Sequence, residues 1–456
     1  MRSSQGAMNG ARVSGRQTNG AQTNGANRKH AKTSNGVSGA FRQLSLVPKK
    51  NFIDIELFAG AGGLTLGLAA AGLAPDHLFE QNRRCCATME LNAHGPTTHI
   101  TGEIHEEDVA STDWSAFQRP VRLLSGGPPC QPFSLGGKHL ADRDGRNQFP
   151  ATLRAVRELR PAMVLLENVP GLARGSFRPY LDYIVRQLEC PSVMPRKGEL
   201  WEEHDRRLDR HQRSASYELE YNVRWWVLNA ADFGVAQARV RVVFVASRAD
   251  LPAIERPSPT HSRAALIHHQ ESGDYWRDRH VRKKSRDEWP RRVHGESASL
   301  GAHYRPWRTV RDAIADLPSP YAEDDDRSEG HWIIPGARLY RRHSGSEQDW
   351  PAKTIKAGVH GVAGGENVLL LDNGSHRYFT LREMARLQCF PDSYRFIGPR
   401  SRIIGQIGNA VPVELARVLA EQLKPSLVEF ERRFALQDLR GFAPVHRKVS
   451  DRHERA

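Results

Sequence analysis

One cysteine sits where a thiol could do chemistry. In SGGPPCQPFS (Ser125 to Ser134), Cys130 follows Pro128 and Pro129 and precedes Pro132, with Gly126 and Gly127 leading in. Proline fixes its own φ and pushes the residue before it out of the helical region, so the thiol is held on a stiff, non-helical turn. A cysteine so placed is positioned to attack, and its thiolate is the attacking form. Cys190 and Cys389 lack such a setting and read as small buried hydrophobes.

Two further groups suit a nucleophilic site. Glu167 follows the apolar run MVLL, where a carboxylate is costly without a partner. Beside a nucleophilic thiol it reads as a proton donor, and otherwise as a turn cap. In QARVRVVFV, Arg239 and Arg241 alternate on one face of a strand. Paired guanidiniums suit a base carbonyl or a phosphate, or else structural ion pairing.

A cofactor turn lies upstream in ELFAGAGGL (Glu56 to Leu64). Glycines between a strand and a helix let backbone approach a ligand closely. The turn is not GxGxxG, and no lysine follows to make it a phosphate cradle. Glu80, with Gln81 beside it, ends the next strand, where an acid commonly binds ribose hydroxyls. Together they indicate an adenosine cofactor without a demanding phosphate, and S-adenosyl-L-methionine fits.

The elements that must position these residues follow from hydrophobic pattern. FIDIELFAG, DHLFE, VRLLSGG, AMVLLENV, NVRWWVLNA and RVRVVFVAS read as strands, most of them continuously apolar. Helices are predicted at LTLGLAAAGL and over Gln148 to Arg160, where Phe149, Leu153, Val156 and Leu159 fall at helical spacing. The alternation predicts an α/β fold whose mostly parallel sheet is covered on both faces. Ligands in such folds sit beyond the C-terminal strand ends, which is where Glu80, Cys130, Glu167 and the glycine turn fall. Arg196 to Tyr217 reads as a solvated helical insertion. Thr380 and Glu383 form a predicted capping box, and GQIGNAVPVELARVLAEQL a glycine turn followed by an amphipathic helix.

The domain boundaries expected are a disordered basic leader (1–48), a first catalytic part (49–250), a smaller recognition domain (251–395), a segment returning to the catalytic domain (396–435) and a flexible tail (436–456). Net charge is +14, but residues 1–50 hold nine Lys/Arg and no acid, so the remainder carries only +5. The leader could attract nucleic acid non-specifically or serve as a solubilising tail. Trp276 to Arg292 carries eight basic and three acidic residues among tryptophans, a composition suited to a nucleic-acid surface or a solvated loop. No apolar run suggests a membrane span and no apolar region suggests a secretory signal. Five cysteines without a disulfide framework suit a reducing cytoplasm. No zinc-type Cys/His cluster is legible, and the adjacent His268 and His269 read as a surface loop.

The segments DIELFAGAGGL, GGPPCQPFS, ENVPGL, QARVR, TLREMARLQCFPDSYRF and GQIGNAVP resemble, in order, the motif series of the DNA cytosine-5 methyltransferases. The resemblance spans about residues 51–425, apart from the variable stretch near Leu251 to His376. It implies a Rossmann-like methyltransferase fold with a target-recognition domain. It implies that S-adenosyl-L-methionine is the methyl donor, with no metal. It also implies a mechanism. Cys130 adds to cytosine C6, Glu167 engages N3, and Arg241 with Arg239 contacts O2. The base is flipped out of the duplex, and the loop from about Phe133 to Asn147 closes over it on a hinge at Gly136 and Gly137. Carried over by position, the cofactor residues are Phe58, Ala59, Gly60, Gly62, Gly63, Leu64, Glu80, Gln81, Glu103, Ile104, Pro129 and Asn409. Two departures are visible: the acid contacting adenine could be Glu103 or Asp108, and Ala410 replaces a customary serine. The implied partner is double-stranded DNA, with a cognate restriction endonuclease in the same bacterial cytoplasm and a monomeric enzyme. The alternatives are an RNA-directed enzyme of the tRNA methyltransferase branch and a catalytically silent DNA-binding protein.

Overall fold

The structure is a computed structural model that describes residues 51–93, 100–129, 147–214, 220–285, 288, 303–321, 329–339, 344–358 and 367–438. Cys130, the expected loop from Phe133 with its hinge glycines, the basic leader, Arg286 to Arg292 apart from Glu288, and most of the C-terminal tail lie outside the described residues.

Eight strands and five helices come first in the chain. They are β1 (Ile53–Leu57), α1 (Gly63–Ala70), β2 (His77–Phe79), α2 (Arg83–Asn92), β3 (Glu103–His105), β4 (Val121–Gly126), α3 (Phe149–Leu159), β5 (Met163–Asn168), α4 (Arg178–Glu189), α5 (Trp201–Gln212), β6 (Tyr221–Asn229), β7 (Gln237–Ala238) and β8 (Val240–Arg248). Seven of the strands form one sheet in the order β3-β2-β1-β4-β5-β8-β6. The pairings from β3 to β5 are parallel, while β8 runs antiparallel to both β5 and β6.

The expected burial on both faces holds residue by residue. Ile53, Ile55 and Leu57 of β1, Val164 and Leu166 of β5, and Val242 and Phe244 of β8 pack with α3 and α4 on one face. Met163, Leu165, Val243 and Val245 pack on the other, with Leu64 and Leu68 of α1. Side chains two apart share a face of a strand, so an unbroken apolar run serves both sides.

The strand order reverses at β1. The chain moves outward through β2 and β3, then returns to lay β4 on β1's other side. This is a topological switch point, where the connections after β1 and β4 diverge and leave a crevice. The glycine turn follows β1 and Gly127 to Pro129 follow β4, so both begin at that switch point.

The later chain adds β9 (His261–Ser262), α6 (Arg263–Ser272), α7 (Asp274–Asp278), β10 (Arg305–Pro306), α8 (Val310–Ile314), β11 (Ser346–Glu347), β12 (Ala352–Lys353), β13 (Val368–Leu370), β14 (His376–Tyr378), α9 (Leu381–Leu387), α10 (Arg400–Asn409) and α11 (Val413–Asp438). The predicted capping box is present at α9, where Thr380 Oγ1 accepts from Glu383 N and the Glu383 carboxylate accepts from Thr380 N. Residues 380–395 pack on the catalytic side, since Tyr394 Oη donates to Ala61 O at 2.7 Å and Gln237 Nε2 donates to Leu387 O. The contacts therefore run continuously across the expected boundary at 395/396.

Several local expectations are corrected. GQIGN is the second half of helix α10, not a turn. Its Gly408 is required by packing, because an added Cβ would lie 2.4 Å from Ala357 N. His268 and His269 belong to α6 rather than to a loop, and His269 approaches Asp278 at 3.3 Å. Arg400–Leu436 contains an 18-residue window long and apolar enough by composition to cross a membrane, yet 61% of that window is buried inside the protein. Its apolar face is spent on α1, where an added Cβ on Gly67 would meet Ala416 Cβ at 2.3 Å.

In the stretch from Trp276, expected as a nucleic-acid surface or a solvated loop, the described residues are partly buried and ion-paired. Trp276 is buried with Tyr275, Trp350, Leu266 and Ile267. Arg277 pairs with Asp274, Arg279 with Asp312, Arg282 with Glu288, and Lys284 with Asp349 and Asp372. Much of the positive charge seen in the sequence is thus neutralised within the fold.

Candidate active site

The first wall of the crevice is the glycine turn. Phe58 leaves β1 with φ 54°, Gly60 has φ 58° and Gly62 φ 80°. Positive φ is costly for a residue with a bulky side chain, so Phe58 marks backbone strain at the site. Glu80 braces the turn, with Oε2 accepting from Gly60 N at 2.9 Å and Oε1 from Asn82 N at 2.7 Å. Burial raises the Glu80 carboxyl above its ordinary range, against the pull of those amide donors. Ala59 and Leu64 are buried, and Leu64 belongs to the core between sheet and α11.

The turn's far side is closed by the segment between α10 and α11. A Cβ on Gly63 would meet Val411 O at 2.5 Å and Ala410 Cβ at 3.0 Å, so only glycine permits this approach. Asn409 is exposed at the end of α10, beside that contact. Space above Gly60 is open, with no heavy atom within 4 Å of an added Cβ. Residues 58–70 contain no Lys or Arg to neutralise a phosphate. An open glycine cradle, a carboxylate and no cation fit an adenosyl group bearing a positive sulfonium rather than a phosphate chain.

The second wall lies at the ends of β4 and β5. Glu167 and Arg241 are 9% and 7% exposed, and Arg241 Nε stands 2.6 Å from Glu167 Oε1. The N–H does not point along that line, so charge attraction rather than an aligned hydrogen bond holds the pair. The position of a Cβ on Gly127 lies 3.6 Å from Glu167 Oε2. The carboxylate thus sits against the glycine three residues before Cys130. The turn is pinned from both sides: Asn168 Nδ2 donates to Pro128 O at 2.9 Å and Gln148 N donates to Pro129 O at 3.1 Å.

Arg239 does something else. It is 1% exposed, and its guanidinium donates to Ile355 O at 3.2 Å, Gly408 O at 2.8 Å and Ala410 O at 2.9 Å. Burial lowers its pKa well below the ordinary value, with the Arg241 charge adding and Glu167 opposing. These contacts tie the α10–α11 turn to β7 and β8, and so make Arg239 a positioning residue for the wall that faces Gly63. Replacing it with Met should cost about 2–4 kcal/mol, because three buried carbonyls lose their donor. Urea unfolding measures this, and unchanged stability with lost activity would instead place Arg239 on the substrate.

Glu103 and Ile104 are misplaced for the adenine contact. Glu103 pairs in register with His77, the first residue of β2, whereas Glu80 lies beyond the last. Glu103 is therefore at the strand end away from the crevice, with its carboxylate near His77 and His105. Ile104 packs in the cluster containing Leu66, Leu78 and Met89. Asp108 lies at the correct end, one residue after Glu107, whose N donates to Glu80 O at 3.2 Å.

Two buried groups at the site carried no recognisable sequence signal. Tyr394 supports the glycine turn through Ala61 O, and only the fold reveals the pairing. Glu56 is 1% exposed, and burial pushes its carboxyl up to about 8. Thr65 lies close enough to oppose that rise, but neither Glu56 oxygen has an aligned hydrogen bond.

The glycine turn after β1 and the Glu167–Arg241 pair at the ends of β5 and β8 thus flank one switch point of an α/β sheet. The C-5 cytosine-specific DNA methylase model matches residues 52–190 and 203–425, and the chain belongs to that family. The unmatched residues 191–202 run from just after α4 into the first turn of α5, across the start of the charged insertion. Type II methyltransferase M.PspPI of Psychrobacter sp. (strain TA137) is 30% identical over 386 residues, covering 84% of this chain and 81% of its own. Type II methyltransferase M.NgoMIV of Neisseria gonorrhoeae is 29% identical over 377 residues, covering 82% and 98%. Among solved structures, DNMT2 of Spodoptera frugiperda in a mutant form aligns with TM-score 0.51 at 16% identity, covering 82% of this chain and 99% of its own. An Escherichia coli prophage protein described as a DNA modification methyltransferase aligns with TM-score 0.50 at 20% identity, covering 83% and 99%. At those identities the two structures speak for the fold alone.

Proposed function

We propose that this DNA cytosine-5 methyltransferase acts on cytosines within a specific sequence of double-stranded DNA, through a covalent bond from Cys130 to C6 of a flipped-out base. The observation that carries the reading is the buried Glu167–Arg241 pair beside Gly127, on the turn that leads to Cys130 and opposite the glycine cradle.

Each residue has a chemical task. Cytosine C5 is a poor nucleophile while the ring is aromatic. The Cys130 thiolate forms a bond to C6, and Glu167 delivers or shares a proton at N3, so negative charge does not build on the ring. Arg241 holds the Glu167 carboxyl in place and offers its guanidinium edge to the base O2. The resulting enamine makes C5 nucleophilic. When bound, S-adenosyl-L-methionine would supply an electrophilic methyl on a sulfonium and leave as the neutral thioether, and the Phe58–Leu64 turn, Glu80, Gln81 and Asn409 would hold it. A base then removes the C5 proton, Glu167 takes back the N3 proton, the C5–C6 double bond re-forms, and Cys130 leaves as thiolate. Reaching C6 requires the cytosine to leave the duplex stack.

The resemblance to Type II methyltransferases supports a place in a restriction-modification system, with a cognate endonuclease cutting the unmethylated sequence. Sequence readout falls to the variable stretch near Leu251 to His376, through side chains reaching base edges. Phosphate contacts make the affinity salt-dependent. Methyl transfer from labelled donor to duplex DNA and to tRNA, run side by side, tests the substrate. Label in DNA is expected, and label in tRNA alone would move the enzyme to the RNA-directed branch.

A further inference from the structure

A cluster of metal-type donors lies away from the crevice, on strands β2 and β3. His77 and Glu103 face each other in register, and His105 follows Glu103 by two residues. All three side chains therefore leave the same face of the sheet. His77 Nδ1 lies 3.1 Å from His105 Nε2 and 3.5 Å from Glu103 Oε2, and His105 Nε2 lies 3.9 Å from Glu103 Oε2. A tetrahedral ion bonded to nitrogen and oxygen at about 2.0–2.2 Å holds its ligand atoms roughly 3.3–3.6 Å apart. The three separations straddle that edge length.

His77 and His105 share a ring-to-ring hydrogen bond, and neighbouring aromatics hold the two rings as well. His105 stacks on Phe79 at 4.5 Å with planes 9° apart, and His77 meets Phe117 edge-on at 5.0 Å. The Glu103 side chain is 67% exposed, so the fourth position faces water.

We propose that His77, Glu103 and His105 form a binding site for a four-coordinate divalent transition metal, with zinc favoured by two imidazoles and one carboxylate. The ion would clamp β3, a three-residue edge strand, to β2. That strand leads to Glu107 and Asp108 beside Glu80, so the clamp would steady one rim of the cofactor crevice from outside the reacting centre. The role is structural: His77 and Glu103 lie at the strand ends away from the crevice, while His105 ends β3 beside Phe79, where its carbonyl accepts from Glu80 N at 3.0 Å.

The test uses the full chain, freed of affinity tag and stripped with chelator. Titration with Co2+ alone should give one equivalent with tetrahedral visible absorption and no thiolate charge-transfer band, displaced by Zn2+. His77→Ala and His105→Ala should each weaken Zn2+ binding by at least about tenfold, whereas His268→Ala should not. Zn2+ should raise the melting temperature of the wild-type protein and not of the two variants. Should either histidine variant fail to fold, Glu103→Gln changes an exposed group and should still weaken binding. A thiolate band, absence of binding by the wild-type chain, or unchanged affinity in Glu103→Gln would overturn the site.

Discussion

Cys130→Ser is expected to lower methyl transfer by about 10⁴-fold or more while DNA binding stays within a few-fold of wild type. The size follows from what is lost. A serine hydroxyl is far less ionised than a thiol at neutral pH, and its oxygen is a poorer nucleophile toward an electron-poor ring carbon. Without a bond to C6, C5 keeps its aromatic character and Glu167 has no developing charge to meet. Binding should survive because the turn is held by groups the substitution does not touch. Asn168 still caps Pro128 O and Gln148 still caps Pro129 O. The assay is tritium transfer to duplex DNA, with binding measured by fluorescence anisotropy at fixed salt. Turnover within tenfold of wild type would mean that no covalent bond from Cys130 is needed.

Glu167→Gln carries the second large effect. The variant should bind DNA and donor normally and lose about 10²–10⁴-fold in kcat. Gln keeps the shape and still offers an oxygen to Arg241, so the fold should hold. It cannot deliver a proton to N3, so charge accumulates on the ring as Cys130 adds. A further cost comes from Arg241, a 7% exposed guanidinium that keeps a polar neighbour but loses its charge partner. Single-turnover kinetics separate chemistry from binding. A kcat within tenfold of wild type, with lowered thermal stability, would reduce Glu167 to an anchor for Arg241.

How much of this was legible in the sequence depended on whether the signal was local. Glu167 stood out because a carboxylate directly after Leu165 and Leu166 must be explained, and the glycine turn because Phe58 to Gly63 is compact. The strands themselves were legible in their apolar runs, but their order in the sheet was not. Arg239 was harder. It shares a strand pattern with Arg241, but its partners Ile355, Gly408 and Ala410 arrive from far along the chain. No spacing within QARVR separates a guanidinium aimed at substrate from one aimed at three carbonyls. The ion pairs around Trp276 were hidden for the same reason: composition reports charge, but the partners Asp312, Asp349 and Asp372 are distant in sequence. Glycine was ambiguous at Gly408, where close packing of a helix, not a turn, demands it. His77 and His105 could not be recognised as a pair because parallel strand register, rather than sequence spacing, brings them together.

The central claim is that the crevice at the β1–β4 switch point delivers a methyl group to cytosine C5 in a chosen DNA sequence. Bisulfite sequencing of a random-sequence duplex library, treated with the purified protein and S-adenosyl-L-methionine, tests it most directly. One recurring sequence with a single protected cytosine is the expected result. Full conversion of every cytosine, under conditions where the folded protein binds both DNA and donor, would contradict it.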